Sequence, residues 1–130
     1  MNLLPTHKPL NDRDIQLYVK KLKIKNFRGV FMRNALPARV RLKECAVINL
    51  DNFDGSGSHW TAYWKNKSTT YYFDSYGNLP PPSELISYLT VGNTSNILYN
   101  YNRYQEDGTF ICGQLCLIFL YQMSKNQLKK

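Results

Sequence analysis

The sequence predicts an α+β domain, because it contains both helical and extended apolar patterns. Apolar residues recur at helical spacing after Asn11, runs of strand length lie between residues 45 and 73, and residues 112–123 are almost unbrokenly apolar. The chain has 130 residues, of which 43% are hydrophobic. This length supports one domain with a sizeable core and is too short for two.

The first predicted element is a helix at residues 12–22. Asn11 precedes it as a suitable N-cap, and Asp14 occupies the third helical position, where a carboxylate is favourable. Leu10 stands where it can pack onto Ile15 as a hydrophobic staple. The helix therefore has a defined start, and its lysine-rich end follows at residue 22.

Residues 27–42 follow no regular period and include Gly29 and Pro37. They are predicted to form a loop-rich connector with one short helix at about residues 31–36. The continuous apolar run at residues 45–50 has the length of a strand, and its lack of alternation indicates burial on both faces.

A hairpin is predicted in the middle of the chain. Its parts are a glycine-containing turn at 51–58, a strand at 59–64, a loop at 65–68 and a strand at 69–73. This arrangement puts His59 at the start of one strand and Asp74 at the end of the next.

The second half of the chain begins with three prolines at residues 80–82. The elements predicted after them are a short helix capped by Ser83 and ended by Gly92, a strand at 97–101, and a polar loop at 103–110 that carries Gln105. A buried helix then begins at Cys112 and runs to Met123.

Four residues in chain order offer the parts of a thiol nucleophile site. A thiol attacks a carbonyl as thiolate, so it needs a base, a group that orients the base, and donors for the oxyanion. His59, Asp74, Cys112 and Gln105 are candidates for the base, the orienting acid, the nucleophile and the oxyanion donor. The other histidine, His7, lies in a proline-flanked N-terminal segment, which leaves His59 as the base.

Position separates Cys112 from the other two cysteines. The N-terminus of a helix presents free N–H groups and the positive end of the dipole, both of which favour a thiolate. Cys116 lies one turn deeper and Cys45 lies within an apolar strand, so both are predicted to be core residues. Each candidate also has an ordinary structural interpretation, but four such coincidences in this order are much less frequent than one.

The charge is strongly basic, with 17 Lys and Arg against 9 Asp and Glu and a net charge of +8. Lys20, Lys21, Lys23 and Lys25 crowd one short segment and are candidates for contacts with nucleic acid. The alternative is a solvated basic face. No base-reading motif accompanies the lysines, so any binding to DNA is expected to be non-specific, through phosphates.

Composition also limits cofactors and location. Three cysteines do not form a disulfide framework, and no Cys-x-x-Cys pair is present for zinc, so no metal site is predicted. No signal peptide and no membrane span of about 18 apolar residues is found. The protein is expected to be intracellular, without a membrane partner.

The joint pattern of motifs resembles a known family. Ser58-His59-Trp60, then Phe73-Asp74-Ser75-Tyr76-Gly77, then Gln105 seven residues before Cys112-Gly113 are similar to motifs of the adenovirus maturation protease family (adenain) and its Polinton/Maverick and virophage relatives. The SUMO- and NEDD8-deconjugating proteases share the same core. The resemblance runs from about residue 27 to 122. It implies a papain-like core with the catalytic order His-Asp-Cys and the cysteine helix packed on a mixed β-sheet.

The resemblance also implies roles for individual residues. His59 would be the general base, Asp74 its orienting acid, and Cys112 the nucleophile. Gln105 would form the oxyanion hole with the Cys112 backbone N–H. Trp60 would wall a narrow cleft that admits a Gly-containing pair before the scissile bond.

Two departures from adenain are visible. The acid is Asp74 where adenain has Glu, and residues 92–96 contain no cysteine for a disulfide-linked activating peptide. The chain is also close to a minimal catalytic core, with a basic helix before the core at residues 27–123 and a short basic tail after it.

The expected function is a thiol endopeptidase that processes capsid or core precursors of a virus or virus-like element. Such a monomer would act on polypeptides in the host nucleus or cytoplasm and in the virion, with no required cofactor and with activation by DNA or a peptide left open. The alternatives are a deconjugase of a ubiquitin-like modifier, a YopJ-type acetyltransferase, and a basic nucleic-acid-binding module with a degenerate protease fold.

Overall fold

The computed structural model describes residues 4–6, 8–51, 59–106, 109 and 111–128. Its elements are α1 (Asp12–Leu22), β1 (Phe27–Met32), β2 (Lys43–Asn49), β3 (Trp60–Asn66), β4 (Thr69–Phe73), α2 (Ser83–Val91), β5 (Asn96–Tyr99) and α3 (Cys112–Leu128). The predicted first helix, the hairpin and the helix that begins at Cys112 are confirmed. No helix among these described residues is long and apolar enough to cross a membrane.

The strands form one five-stranded sheet in the order β1-β2-β3-β4-β5. The pairs β2–β3 and β3–β4 are antiparallel, whereas β1–β2 and β4–β5 are parallel. The sheet is therefore mixed, which confirms the predicted α+β class.

Helices cover both faces of this sheet. Side chains of neighbouring strand residues point to opposite faces, so Ala62 and Trp64 pack with α1 and α3, while Tyr63 between them packs with Leu85 and Leu89 of α2. All five strand residues from Cys45 to Asn49 are buried, as expected for a strand between two helical layers.

The start of α1 is fixed by a complete capping box. The Asn11 side chain accepts a hydrogen bond from the Asp14 N–H at 2.8 Å, and the Asn11 N–H donates to Asp14 Oδ2 at 3.1 Å. A cap of this kind contributes roughly 0.5–2 kcal/mol to stability. It also fixes the chain direction just before α1, where Leu10 is buried in the core.

The connector predicted at residues 27–42 is wrong in its first part, because residues 27–32 form β1 and residues 31–36 hold no helix. Gly29 has φ +144°, and the register with β2 shifts between Phe27 and Val30. This irregularity removes the alternation by which a strand is recognised. Parallel pairing with β2, a long-range contact, keeps the segment extended.

Smaller differences concern element ends. Pro82 is the N-cap residue of α2, and Ser83 is its first helical residue, so the predicted cap at Ser83 is wrong by one position. The predicted turn at 51–58 lies almost entirely outside the described residues. The hairpin loop is shorter than predicted, because β3 continues to Asn66 and Lys67 adopts the left-handed conformation at φ +60°.

Candidate active site

The hairpin brings His59 and Asp74 to the same edge of the sheet. Ala62 of β3 pairs with Phe73 of β4, so the residue before β3 and the residue after β4 lie at the same end of an antiparallel pair. His59 Nε2 lies 2.9 Å from Asp74 Oδ1, and Asp74 is buried. The carboxylate therefore fixes the ring orientation and holds the Nε2 proton, which leaves Nδ1 as the basic nitrogen.

Asp74 is itself held by two further residues, Asn100 and Tyr76. The Asn100 side chain accepts from the Asp74 N–H at 3.0 Å and donates to the Asp74 carbonyl at 2.7 Å. The Tyr76 N–H donates to Asp74 Oδ1 at 3.0 Å. The centroid of the Tyr76 ring lies 4.9 Å from the centroid of the His59 ring. No sequence pattern indicates Asn100, since its partner is 26 residues away.

Cys112 is the first residue of α3 and is buried beside His59. Burial by itself raises the pKa of the Cys112 thiol, but hydrogen bonds from His59 and from the backbone of Trp60 and Gly113 outweigh it and lower the pKa below the ordinary value. Burial also lowers the pKa of His59, yet hydrogen bonds and charges of Asp74 and Cys112 raise it to about 9. The two shifts together favour a thiolate–imidazolium ion pair.

The other two cysteines lack this environment. Cys45 and Cys116 are fully buried, and burial raises the pKa of both thiols. Cys45 Sγ donates to the Lys25 carbonyl at 3.3 Å. Among the three thiols, only that of Cys112 has its pKa lowered by its surroundings.

The ion pair predicts the pH dependence of alkylation. We expect Cys112 to react with iodoacetamide at a lower pH than a free thiol, since only thiolate reacts. Asp74→Asn removes the charge that stabilises the imidazolium, so the thiolate loses its cationic partner and the midpoint of alkylation moves to higher pH. The rate measured against pH for both proteins, with Cys112→Ala as the blank, checks this. An unmoved midpoint in Asp74→Asn would contradict it.

Gln105 is buried rather than an exposed loop residue, with 3% of its surface accessible. Its Oε1 accepts a hydrogen bond from the Ser75 hydroxyl, and its Nε2 donates to the Thr109 carbonyl at 2.9 Å. Because Ser75 directly follows Asp74, these contacts attach Gln105 to the turn that carries the acid.

Trp60 begins β3 next to Cys112 and is held in place. Its Nε1 donates to the Leu10 carbonyl at 2.9 Å. A Cβ added to Gly113 would lie 3.3 Å from Trp60 Cδ1 and 3.3 Å from Leu10 Cβ, so the indole packs tightly on the start of α3. Beside Trp60 lies a cavity of about 510 Å³, lined by residues 9–12 and 30–32. Trp60 was predicted to wall a cleft, but the sequence did not predict the other lining residues, because β1 and the segment before α1 come beside Trp60 only in the fold.

The four lysines lie at the other end of α1. All are exposed, and Lys20 and Lys21 occupy the last turn. Since α1 begins beside Trp60, its last turn lies roughly 15 Å farther along the helix axis. The Lys25 N–H donates to Ser124 Oγ at 3.2 Å, which brings Lys125 of α3 close to the same surface. His7, the other histidine, lies outside the described residues.

Two proteases with solved structures have folds similar to that of this chain. The SUMO protease Ulp1, with its catalytic cysteine oxidised to a sulfinic acid, has a TM-score of 0.60 and 18% identity over 92% of this chain and 68% of its own. The ASFV pS273R protease has a TM-score of 0.56 and 19% identity over 88% of this chain and 55% of its own. No protein-family model and no curated protein sequence matches the chain.

A selenomethionine structure of the ASFV pS273R protease has a TM-score of 0.50 and 27% identity over 68% of this chain and 36% of its own. The neighbours thus define the fold as that of the SUMO-protease and adenain-like cysteine proteases. The chain spans about half or less of the pS273R protease and about two thirds of the Ulp1 chain.

Proposed function

We propose that this chain is a thiol endopeptidase that cleaves after small, Gly-containing motifs. The observation that carries the proposal is the convergence of His59, Asp74 and Cys112, in which the thiol pKa is lowered and the imidazole pKa is raised to about 9. A buried thiol with two backbone donors and an imidazole partner has the properties of a nucleophile rather than of a core residue.

In the proposed reaction, the Cys112 thiolate attacks the scissile carbonyl carbon, and the carbonyl electrons move to oxygen. A Gln105 amide N–H and the Cys112 backbone N–H stabilise this oxyanion. When the oxyanion collapses, the C–N bond breaks and the His59 imidazolium gives its proton to the leaving amine. His59 then takes a proton from water, which hydrolyses the thioester and restores the thiolate.

Trp60 is the residue that we assign to substrate selection. Its indole is tied to the Leu10 carbonyl and packed on Gly113, so it cannot swing away from the thiolate without breaking these contacts. A large side chain directly before the scissile bond would have to displace it. Glycine at this position avoids the clash.

Peptides with Leu or Phe in place of Gly before the scissile bond are expected to lose at least about 10-fold in kcat/KM, since one mismatched methylene alone costs roughly 10- to 200-fold. A fluorogenic peptide series that differs only at this position measures the effect. Selection of a large side chain there would contradict the assignment of Trp60.

The nearest rival is a deconjugase, because one structural neighbour is a SUMO protease. Two electrophilic probes distinguish an endopeptidase from a deconjugase. Both end in glycine, but one is a short peptide and the other is a folded ubiquitin-like protein. If the chain is an endopeptidase, the peptide probe is expected to label Cys112 at least as fast as the folded probe does. Labelling that requires the folded modifier would favour the deconjugase, and no labelling by either would overturn the thiol-protease proposal.

Two variants control this experiment. Cys112→Ala must not be labelled. Cys45→Ser must be labelled like the wild type, because a serine hydroxyl can also donate to the Lys25 carbonyl that Cys45 Sγ contacts. Acetyl-CoA binding, tested in parallel, would reveal the acetyltransferase alternative.

The biological substrates that we propose are capsid or core precursors of a virus or virus-like element. The structural similarity to the ASFV pS273R protease, a viral protease, supports this proposal. We also propose non-specific binding to DNA through Lys20, Lys21, Lys23 and Lys25, which would concentrate the enzyme near encapsidated precursors.

The exposed lysine surface predicts salt-dependent binding to DNA. Log affinity should fall linearly with log salt at a slope of about −0.9 per phosphate contacted, so changing the four lysines to glutamine should flatten the slope. Fluorescence anisotropy with duplex DNA measures this, with the exposed Arg39, Arg41 and Lys43 changed to glutamine as the control. Absence of binding, or binding without salt dependence, would remove the DNA proposal.

A further inference from the structure

Ser75 joins the two parts of the site that the chain supplies from separate segments. It directly follows Asp74 and is fully buried at the end of the hairpin. Its hydroxyl donates to Gln105 Oε1, and its backbone carbonyl accepts from the Tyr104 N–H at 2.7 Å. Ser75 therefore contacts Gln105 through its side chain, and it holds Tyr104, the residue before Gln105, through its main chain.

The amide of Gln105 can be useful in only one of its two orientations. An oxyanion needs an N–H donor, whereas a rotation of the amide by 180° would present the carbonyl oxygen and repel it. The Thr109 carbonyl can only accept, so it requires the NH2 group on its side, and Oε1 then points to Ser75, whose hydroxyl donates to it. Nε2 carries two protons, and the Thr109 carbonyl accepts one of them. The other proton is the one assigned to the oxyanion.

The turn that carries Ser75 is itself rigid. The Asn100 side chain binds both backbone groups of Asp74, and the Asn78 N–H donates to the Asn100 carbonyl at 2.8 Å. Gly77 has φ +80°, and an added Cβ would lie 2.5 Å from the Asn102 carbonyl oxygen, so turn and loop are in direct contact. Thr109, by contrast, is exposed. Of these two partners of the Gln105 amide, Ser75 is the buried one.

We infer that Ser75 is a positioning residue that holds Oε1 of the Gln105 side-chain amide in place, so that one Nε2 proton faces the reaction oxyanion. The inference rests on the proposed function for the meaning of this orientation. In this role Ser75 does not contact the substrate, because the Ser75 hydroxyl acts through Gln105 alone.

A double-mutant cycle tests this role on a Gly-ended fluorogenic peptide. Ser75→Ala is expected to lower kcat about 10-fold, the scale of one lost hydrogen bond, with KM unchanged. In the Gln105→Ala background the same change is expected to have no further effect, since its target is absent. Equal losses in both backgrounds, or no loss in either, would overturn the inference. If Ser75→Ala fails to fold, Ser75→Cys replaces it, because a thiol is a much weaker donor of similar shape.

Two measurements separate this inference from the proposed function. If the wild type hydrolyses no Gly-ended peptide and Cys112 reacts with no Gly-ended probe, it is the proposed function that fails. The contact itself is tested by hydrogen exchange of the Gln105 side-chain amide protons, identified by their loss in Gln105→Ala. Protection is expected in the wild type and a faster exchange in Ser75→Ala, whereas equal protection in both would overturn the role of Ser75 regardless of activity.

Discussion

Replacing Cys112 with alanine is expected to abolish peptide hydrolysis, and replacing His59 with alanine is expected to come close to doing so. In a nucleophile–base pair the two groups act as one unit, and removal of either costs about 10⁶-fold in kcat in a comparable triad. In the proposed mechanism, His59 both stabilises the thiolate and protonates the leaving amine. The measurement is single-turnover hydrolysis of a Gly-ended peptide.

The controls for this prediction use the other two thiols. Cys45→Ser preserves the hydrogen bond to the Lys25 carbonyl and should leave kcat unchanged. Cys116→Ser buries a hydroxyl in the apolar core and is expected to lower the free energy of unfolding by about 1–3 kcal/mol with little effect on kcat. If iodoacetamide at neutral pH modifies Cys116 before Cys112, the assignment of the nucleophile is wrong.

Gln105→Ala is expected to lower kcat by about 10²–10³-fold, the cost of deleting one oxyanion donor elsewhere. KM should change little, because the donor is needed after the carbonyl becomes tetrahedral and not for binding. Steady-state kinetics on the same peptide measure both constants.

Alkylation of Cys112 provides a matched control for this variant. Iodoacetamide reacts at a saturated carbon and forms no oxyanion, so Gln105→Ala should alkylate at the wild-type rate. Gln105→Glu keeps the size of the side chain and an acceptor for Ser75, but it removes the amide donor, and it should lose activity as Gln105→Ala does. An unchanged kcat in either variant would reduce Gln105 to a structural residue.

Local patterns were sufficient to predict much of the fold. The cap at Asn11 predicted the start of α1, and the apolar run from Cys112 predicted the start of α3 at the residue where it begins. These features depend on residues within one or two turns of each other, which is the range over which a sequence pattern carries information. The order of His59, Asp74 and Cys112 in the chain likewise indicates one site.

The segment at residues 27–32 was not predictable in this way. Its residues are all half-buried, Gly29 interrupts the pattern, and the strand exists because β2 lies beside it. Pairing with a strand that begins more than ten residues later is a tertiary effect, so the local pattern indicated a loop instead.

The sequence by itself determined the α+β class and the element that carries Cys112, and it predicted which residues form the site. Only the tertiary structure decided how these groups are held. Hydrogen bonds join Asn100 to Asp74, Ser75 to Gln105, and Trp60 to Leu10. Each of these contacts joins residues at least 26 positions apart. Hydrogen bonds over such separations leave no period or spacing in the chain, because they form only after the strands have set which residues lie together.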